Sequence, residues 1–262
     1  RVFDLPAMDF TGLENRDGVQ VVRGDITDRD TVETTIKGIS AVVHLAALLP
    51  PNSERDHDTT FAVNVEGTET IIAALESSRP DATLVFTSSV STYGDTSSET
   101  PPIKASHPQS AIDIYADSKI DAEAAVRASS LKSVSLRIAG IAVPEFLEPP
   151  AVWPFTPEQR VEMVHRDDVV ESLFSATRVL EAAGEVFNVG GGPSWQLIGR
   201  DYVRDFYDFL GAPVDEAVYR ASPGWVDWYD TQESARVLGY QQRSYQHFSN
   251  EMRALVEAMM TG

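Results

Sequence analysis

Short β-rich runs alternate with helix-like stretches along most of this chain, and that alternation limits its folds more than any other feature. Residues 1–4, 18–23, 41–45, 83–87, 134–138 and 186–189 read as strands. Residues 31–37, 61–77, 114–129, 167–180, 200–210 and 246–260 read as helices. The run at 41–45 is apolar almost throughout, as expected for a strand covered on both faces. The pattern predicts a parallel sheet wrapped by helices. After residue 138 the periodicity breaks, and Pro144, Pro149, Pro150, Pro154 and Pro157 crowd together, which predicts a loop over a binding site. A length of 262 residues suits one domain with a small appendage.

On the helix at 114–129, Tyr115 and Lys119 stand four residues apart and share a face. An ammonium beside a phenol favours the phenolate and is expected to bring the phenol's pKa down from about 10. The phenol can then exchange a proton with a substrate oxygen near neutral pH. Ser89, upstream, offers a hydroxyl to hold the same oxygen. The spacing Tyr-x-x-x-Lys is weak evidence alone and gains weight only from its surroundings.

Those surroundings run through most of the chain: Val22-Arg23-Gly24-Asp25-Ile26-Thr27-Asp28, Val42-Val43-His44-Leu45-Ala46-Ala47, Asn64-Val65-Glu66-Gly67-Thr68, Val85 through Gly94 with Thr87-Ser88-Ser89 at its centre, Leu136-Arg137, Val164-His165-Arg166-Asp167-Asp168-Val169, and Phe187-Asn188-Val189-Gly190-Gly191-Gly192. In this order they resemble the extended short-chain dehydrogenase/reductases, the NAD-dependent epimerase/dehydratase family. The resemblance implies an α/β, Rossmann-like doubly wound parallel sheet over residues 1–140. It implies a small substrate-binding or lid region over 141–262, with 165–190 returning to the sheet. Ser89, Tyr115 and Lys119 are then the catalytic residues. Asp4, Asp25, Ile26, Leu45, Ala46, Ala47, Asn64 and Ala139 line the dinucleotide, joined by Tyr115 and Lys119. Family members open with a strand and a Gly-rich turn holding the pyrophosphate. The sequence begins at what looks like the second strand, so the resemblance implies an upstream segment.

Asp4 suits free ribose hydroxyls and repels a 2′-phosphate, which favours NAD over NADP. Dehydratases of the family carry Thr-Asp-Glu where this chain has Ser89-Val90-Ser91, so the elimination they perform is not expected. The Asn that helps hold a nucleotide-sugar is replaced by Gly140. The stretch from Pro144 to Val164 is short and holds one basic residue, Arg160. These departures favour a small or moderately apolar alcohol or ketone, with Ser91, Gly140, Trp153 and Arg160 as substrate candidates. Trp153, Phe155, Trp195, Trp225 and Trp228 line an apolar pocket or fill the core. Two other readings stay open: a sugar-nucleotide epimerase, and a non-catalytic dinucleotide sensor. A formal net charge of −19 argues against nucleic acid and anionic membrane as partners. No apolar run is long enough for a membrane span, and there is no cysteine. Scattered histidines lack metal-ligand spacing. A cytoplasmic homodimer is expected by resemblance.

Overall fold

The computed structural model describes residues 1–146 and 148–261. In chain order it forms β1 (Val2–Asp4), β2 (Val21–Arg23), α1 (Arg29–Thr35), β3 (Ala41–His44), α2 (His57–Phe61), α3 (Gly67–Ser78), β4 (Thr83–Ser89), α4 (Ile114–Ala128), β5 (Lys132–Ile138) and β6 (Gly140–Ala142). Then come β7 (Arg160–His165), α5 (Arg166–Ala176), β8 (Val186–Val189), β9 (Gln196–Ile198), α6 (Gly199–Leu210), α7 (Gln232–Leu238) and α8 (Tyr245–Thr261). A π-helical turn, Ala62–Glu66, joins α2 to α3.

The central sheet has the order β3-β4-β5-β8 and is parallel throughout. β1 and β2 form a separate parallel pair, and no strand pairing joins them to β3 among the described residues. Phe3 and Val42 nonetheless pack on one apolar cluster. The cluster includes Val32 of α1, Ile71 and Leu75 of α3, and Ala122 and Val126 of α4. β4 is buried on both faces. Leu84 and Phe86 enter that cluster, while the alternate residue Val85 enters a second one with Val134, Leu136, Phe187 and Val189. A third sheet, β6-β7-β9, carries the later half, with β9 antiparallel to β7. Against it pack Trp153, Phe155, Tyr202, Val203 and Tyr207.

The α/β fold and the parallel central sheet agree with the expectation from sequence. Some boundaries differ for visible reasons. α1 begins two residues before Thr31, because Asp28 caps it by accepting from the amides of Asp30 and Thr31. The proline-rich stretch from Pro144 to Pro157 contains no helix or strand among its described residues, and β7 begins just after it, at Arg160. The predicted helix at 167–180 stops at Ala176 and is followed by a 3-10 turn at Leu180–Ala182.

Candidate active site

β4 delivers Ser89 in extended conformation (φ −139°) into a 3-10 turn, Val90–Tyr93. The Ser89 hydroxyl oxygen accepts from the Ser91 amide at 3.1 Å and from the Ser91 hydroxyl at 2.9 Å. Both of its lone pairs are thus engaged, leaving its own proton to donate. The loop closes at Gly94 (φ +68°), where an added Cβ would lie 2.1 Å from the Ser110 carbonyl oxygen. That left-handed backbone and close approach require glycine. Ser88, the neighbouring hydroxyl, projects to the opposite face of β4, toward Glu123.

α4 carries the other two groups. Its first turn is capped three times. Asp113 accepts from the Ala116 amide at 2.7 Å, and Glu54 accepts from the amides of Ile114 and Tyr115, each at 3.0 Å. Lys119 is 3% exposed. Its Nζ donates to the Thr87 carbonyl at 2.9 Å, and it lies 5.8 Å from the Tyr115 ring centroid and 5.0 Å from that of Phe86. The Ser89 hydroxyl lies near enough to the Tyr115 phenol to pull its pKa down. The hydroxyl, the phenol and the ammonium named from sequence therefore meet at the carboxyl end of β4.

The electrostatics correct one expectation. The phenol is not lowered. Burial pushes Tyr115 up to about 12, the Ser89 hydroxyl opposes that only in part, and the Asp113 charge adds to it. Burial also lowers Lys119 to about 8. Spacing along a helix reveals the ammonium but not the desolvation, and here desolvation is the larger effect. His44, buried and next to Lys119, is pushed down to about 3 by burial and by that charge, so it is a neutral ring hydrogen-bonded to Thr68 at 2.8 Å.

The residues named for a dinucleotide fall into two groups. Asp4, Asp25, Leu45 and Ala46 are exposed, and Ala47 is half-buried. Leu45, directly after β3, is 60% exposed and Val43 within β3 is 37% exposed, so β3 is not covered on both faces as its apolar run suggested: it pairs only with β4 and has no strand on its other side among the described residues. Asp4 Oδ1 accepts from the Leu5 amide at 2.7 Å, and Asp25 accepts from the amide and hydroxyl of Thr27 at 2.9 and 2.8 Å. Ile26, Asn64 and Ala139 are buried. Asn64 accepts from the Leu48 amide at 2.6 Å and donates to the Leu48 carbonyl at 3.1 Å and to Ser118 at 2.9 Å. Its amide group shapes the loop after β3 from beneath.

The substrate candidates are placed differently from one another. Ser91 is buried and turned to Ser89. Gly140 faces Met163, whose Sδ would lie 2.3 Å from an added Cβ. Trp153 is buried against Phe155, Tyr202 and Phe206, so it belongs to the packing of the later half. Arg160 is bound twice by Asp227, at 2.5 and 2.9 Å, and by the carbonyls of Thr96, Ser97 and Glu99. Sequence reading missed Glu54, because nothing in its neighbourhood announces a partner 61 residues away. It also missed Glu162, which is buried and accepts from the amides of Gly192 and Tyr229 and from Gln196 at 2.9, 2.9 and 3.1 Å. The triple glycine beside it was the available signal: a Cβ on Gly190 would fall 2.3 Å from the Glu162 carboxylate.

The model of the NAD dependent epimerase/dehydratase family matches residues 8–146, just over half of the chain. Solved structures resemble the whole fold. A short-chain dehydrogenase/reductase superfamily protein from Agrobacterium tumefaciens, with NAD bound, gives a TM-score of 0.76 at 21% identity over 94% of this chain and 88% of that one. DesIV, a dTDP-glucose 4,6-dehydratase from Streptomyces venezuelae with NAD and TYD bound, gives 0.77 at 23% identity over 95% and 82%. A UDP-glucuronic acid 4-epimerase from Bacillus cereus in complex with NAD gives 0.77 at 18% identity over 96% and 84%. At these identities the likeness is one of fold.

Proposed function

The chain belongs to the NAD-dependent epimerase/dehydratase family, and on that premise we propose that it is an NAD-dependent oxidoreductase acting on the hydroxyl or ketone of a small, moderately apolar substrate. The observation that carries this reading is the meeting of Ser89, Tyr115 and Lys119 at one strand end. The residues present fit a dinucleotide. The parallel strands β3, β4 and β5 end on the same side, and an exposed apolar Leu45 with small Ala46 and Ala47 offers close backbone approach there. Asp4 would hold the adenosine ribose, Asp25 and Ile26 would flank the adenine, and Ala139 and Lys119 would lie toward the nicotinamide end. Asp4 favours NAD over NADP. When bound, NAD supplies hydride exchange at its nicotinamide carbon.

Each side chain then has a defined task. Ser89, with its lone pairs occupied by Ser91, donates its proton to the substrate oxygen and fixes its place. Tyr115, a neutral phenol at physiological pH, gives its proton to that oxygen in the reducing direction and takes it back in the oxidising one. Lys119 spends one of its three donors on Thr87 and steadies the developing phenolate by charge. Tyr115→Phe should abolish turnover, by about a hundredfold or more, while leaving NAD affinity within about twofold in calorimetry. Full activity of that variant would end this reading.

A second reading, sugar-nucleotide epimerase, is favoured by Arg220. Its charge is felt by Asp113 at the head of α4, and no ion pair to it exists among the described residues. A substrate's anionic group would suit it. The two readings part at the product: a net oxidoreductase releases NADH that absorbs freely in solution, and an epimerase retains it.

A further inference from the structure

We propose that Glu54 is a positioning residue for Tyr115, tethering the main chain of the phenol-bearing residue to the loop that follows β3. The inference rests on the catalytic reading of Tyr115 given above. Glu54 ends a 3-10 turn, Asn52–Glu54, whose middle residue Ser53 is fully buried. That turn is pinned from below, where Thr60 donates to the Ser53 carbonyl at 2.8 Å, and from beside, where the Ser53 hydroxyl donates to Glu54 Oε1 at 2.8 Å. The carboxylate then accepts from Ile114 through Oε2 and from Tyr115 through Oε1.

The same loop also reaches the carbonyl of Tyr115. Leu48 is clamped by Asn64 through both its amide and its carbonyl, Asn64 donates to Ser118, and the Ser118 hydroxyl donates to the Tyr115 carbonyl at 2.7 Å. Both main-chain polar groups of Tyr115 are thus held through residues anchored in one loop. The loop begins at Leu45 to Ala47, on the dinucleotide side of the proposed site. A shift there is carried to the phenol through hydrogen bonds.

Amide exchange reads the tether directly. The first amides of a helix have no intrahelical acceptor, so protection at Ile114 and Tyr115 comes from Glu54. In the full-length protein, Glu54→Ala should speed exchange at these two amides by about fivefold or more, the loss of one cap. With a substrate turned over by the wild type, kcat should fall by about fivefold or more while KM stays within about twofold, because position and not affinity is lost. Glu54→Gln keeps one acceptor oxygen and should recover part of both effects. Glu76→Ala is the control: Glu76 accepts from the amide and hydroxyl of Ser130, past the far end of α4, at 2.8 and 2.9 Å, and its loss should lower stability comparably with kcat unchanged. Unchanged exchange at Ile114 and Tyr115 in Glu54→Ala overturns the proposal. So does faster exchange with kcat no lower than in the Glu76→Ala control. A wild-type protein without any turnover would defeat the function proposed above, and the exchange result alone would then decide the tether.

Discussion

At the scale of single residues, the site is an exercise in desolvation. Tyr115 and Lys119 are driven toward their neutral forms, the phenol to about 12 and the ammonium to about 8, each mainly by burial. The nearer of these to physiological pH belongs to Lys119, so it sets the pH dependence. The folded pKa is depressed, and the charged form that steadies the phenolate is present below about 8 and lost above it. The rate of ketone reduction should therefore fall as pH rises through about 8, and Lys119→Arg, charged at all accessible pH, should flatten that limb in a kcat/KM profile even if it lowers the plateau. That Ser89, Tyr115 and Lys119 come together was legible, because Tyr115 and Lys119 are local to one helix and Ser89 sits in a recognisable strand-end run. Their protonation state was not, since burial comes from Phe86, Thr87 and the turn after β4, which spacing along α4 does not reveal.

At the scale of elements, α4 is fastened to β5 by a buried ion pair. Arg137 meets Glu123 through two bonds, at 3.0 and 2.6 Å, and also donates to the Tyr93 hydroxyl and the Ala105 carbonyl. Tyr93 in turn donates to Asn188 of β8 at 2.5 Å. Burial pushes the Glu123 carboxyl up, but the hydrogen bonds and charge of Arg137 outweigh it and hold it below the usual carboxylate range. Glu123→Leu strands a buried guanidinium and should cost about 3–5 kcal/mol, whereas Arg137→Met together with Glu123→Leu should recover most of that in denaturant unfolding. The strands and helices of the central sheet were legible from alternating runs, as in β3 and β4. β6 and β9 were not, being three residues each, and β7 lay behind a run of prolines. The pairs that fix the elements were equally hidden. Arg160 and Asp227 lie 67 residues apart, and only the closed fold brings them together.

At the scale of the whole molecule, one buried acid should leave a mark on stability. Burial raises Glu162 from 4.5 to about 7, against the amides of Tyr229 and Gly192 that favour its charge. A folded pKa raised above the unfolded one means that the folded protein binds more protons in between. Glu162's contribution is therefore full below about pH 4.5 and is lost as pH climbs through about 7. The difference in unfolding free energy between the wild type and Glu162→Gln should drift by on the order of 3 kcal/mol across that window, and a flat difference would show that Glu162 ionises normally. Taking the difference cancels the self-repulsion of a chain with a net charge of −19. The burial of Lys119 reaches further than its pKa. The other lysines, Lys37, Lys104 and Lys132, are all exposed, so this molecule offers three lysine amines to the outside world and keeps one back. Amine-directed labels, crosslinkers and coupling resins find the three, and the protein can be dyed, tethered or crosslinked through them with the buried Lys119 amine left untouched.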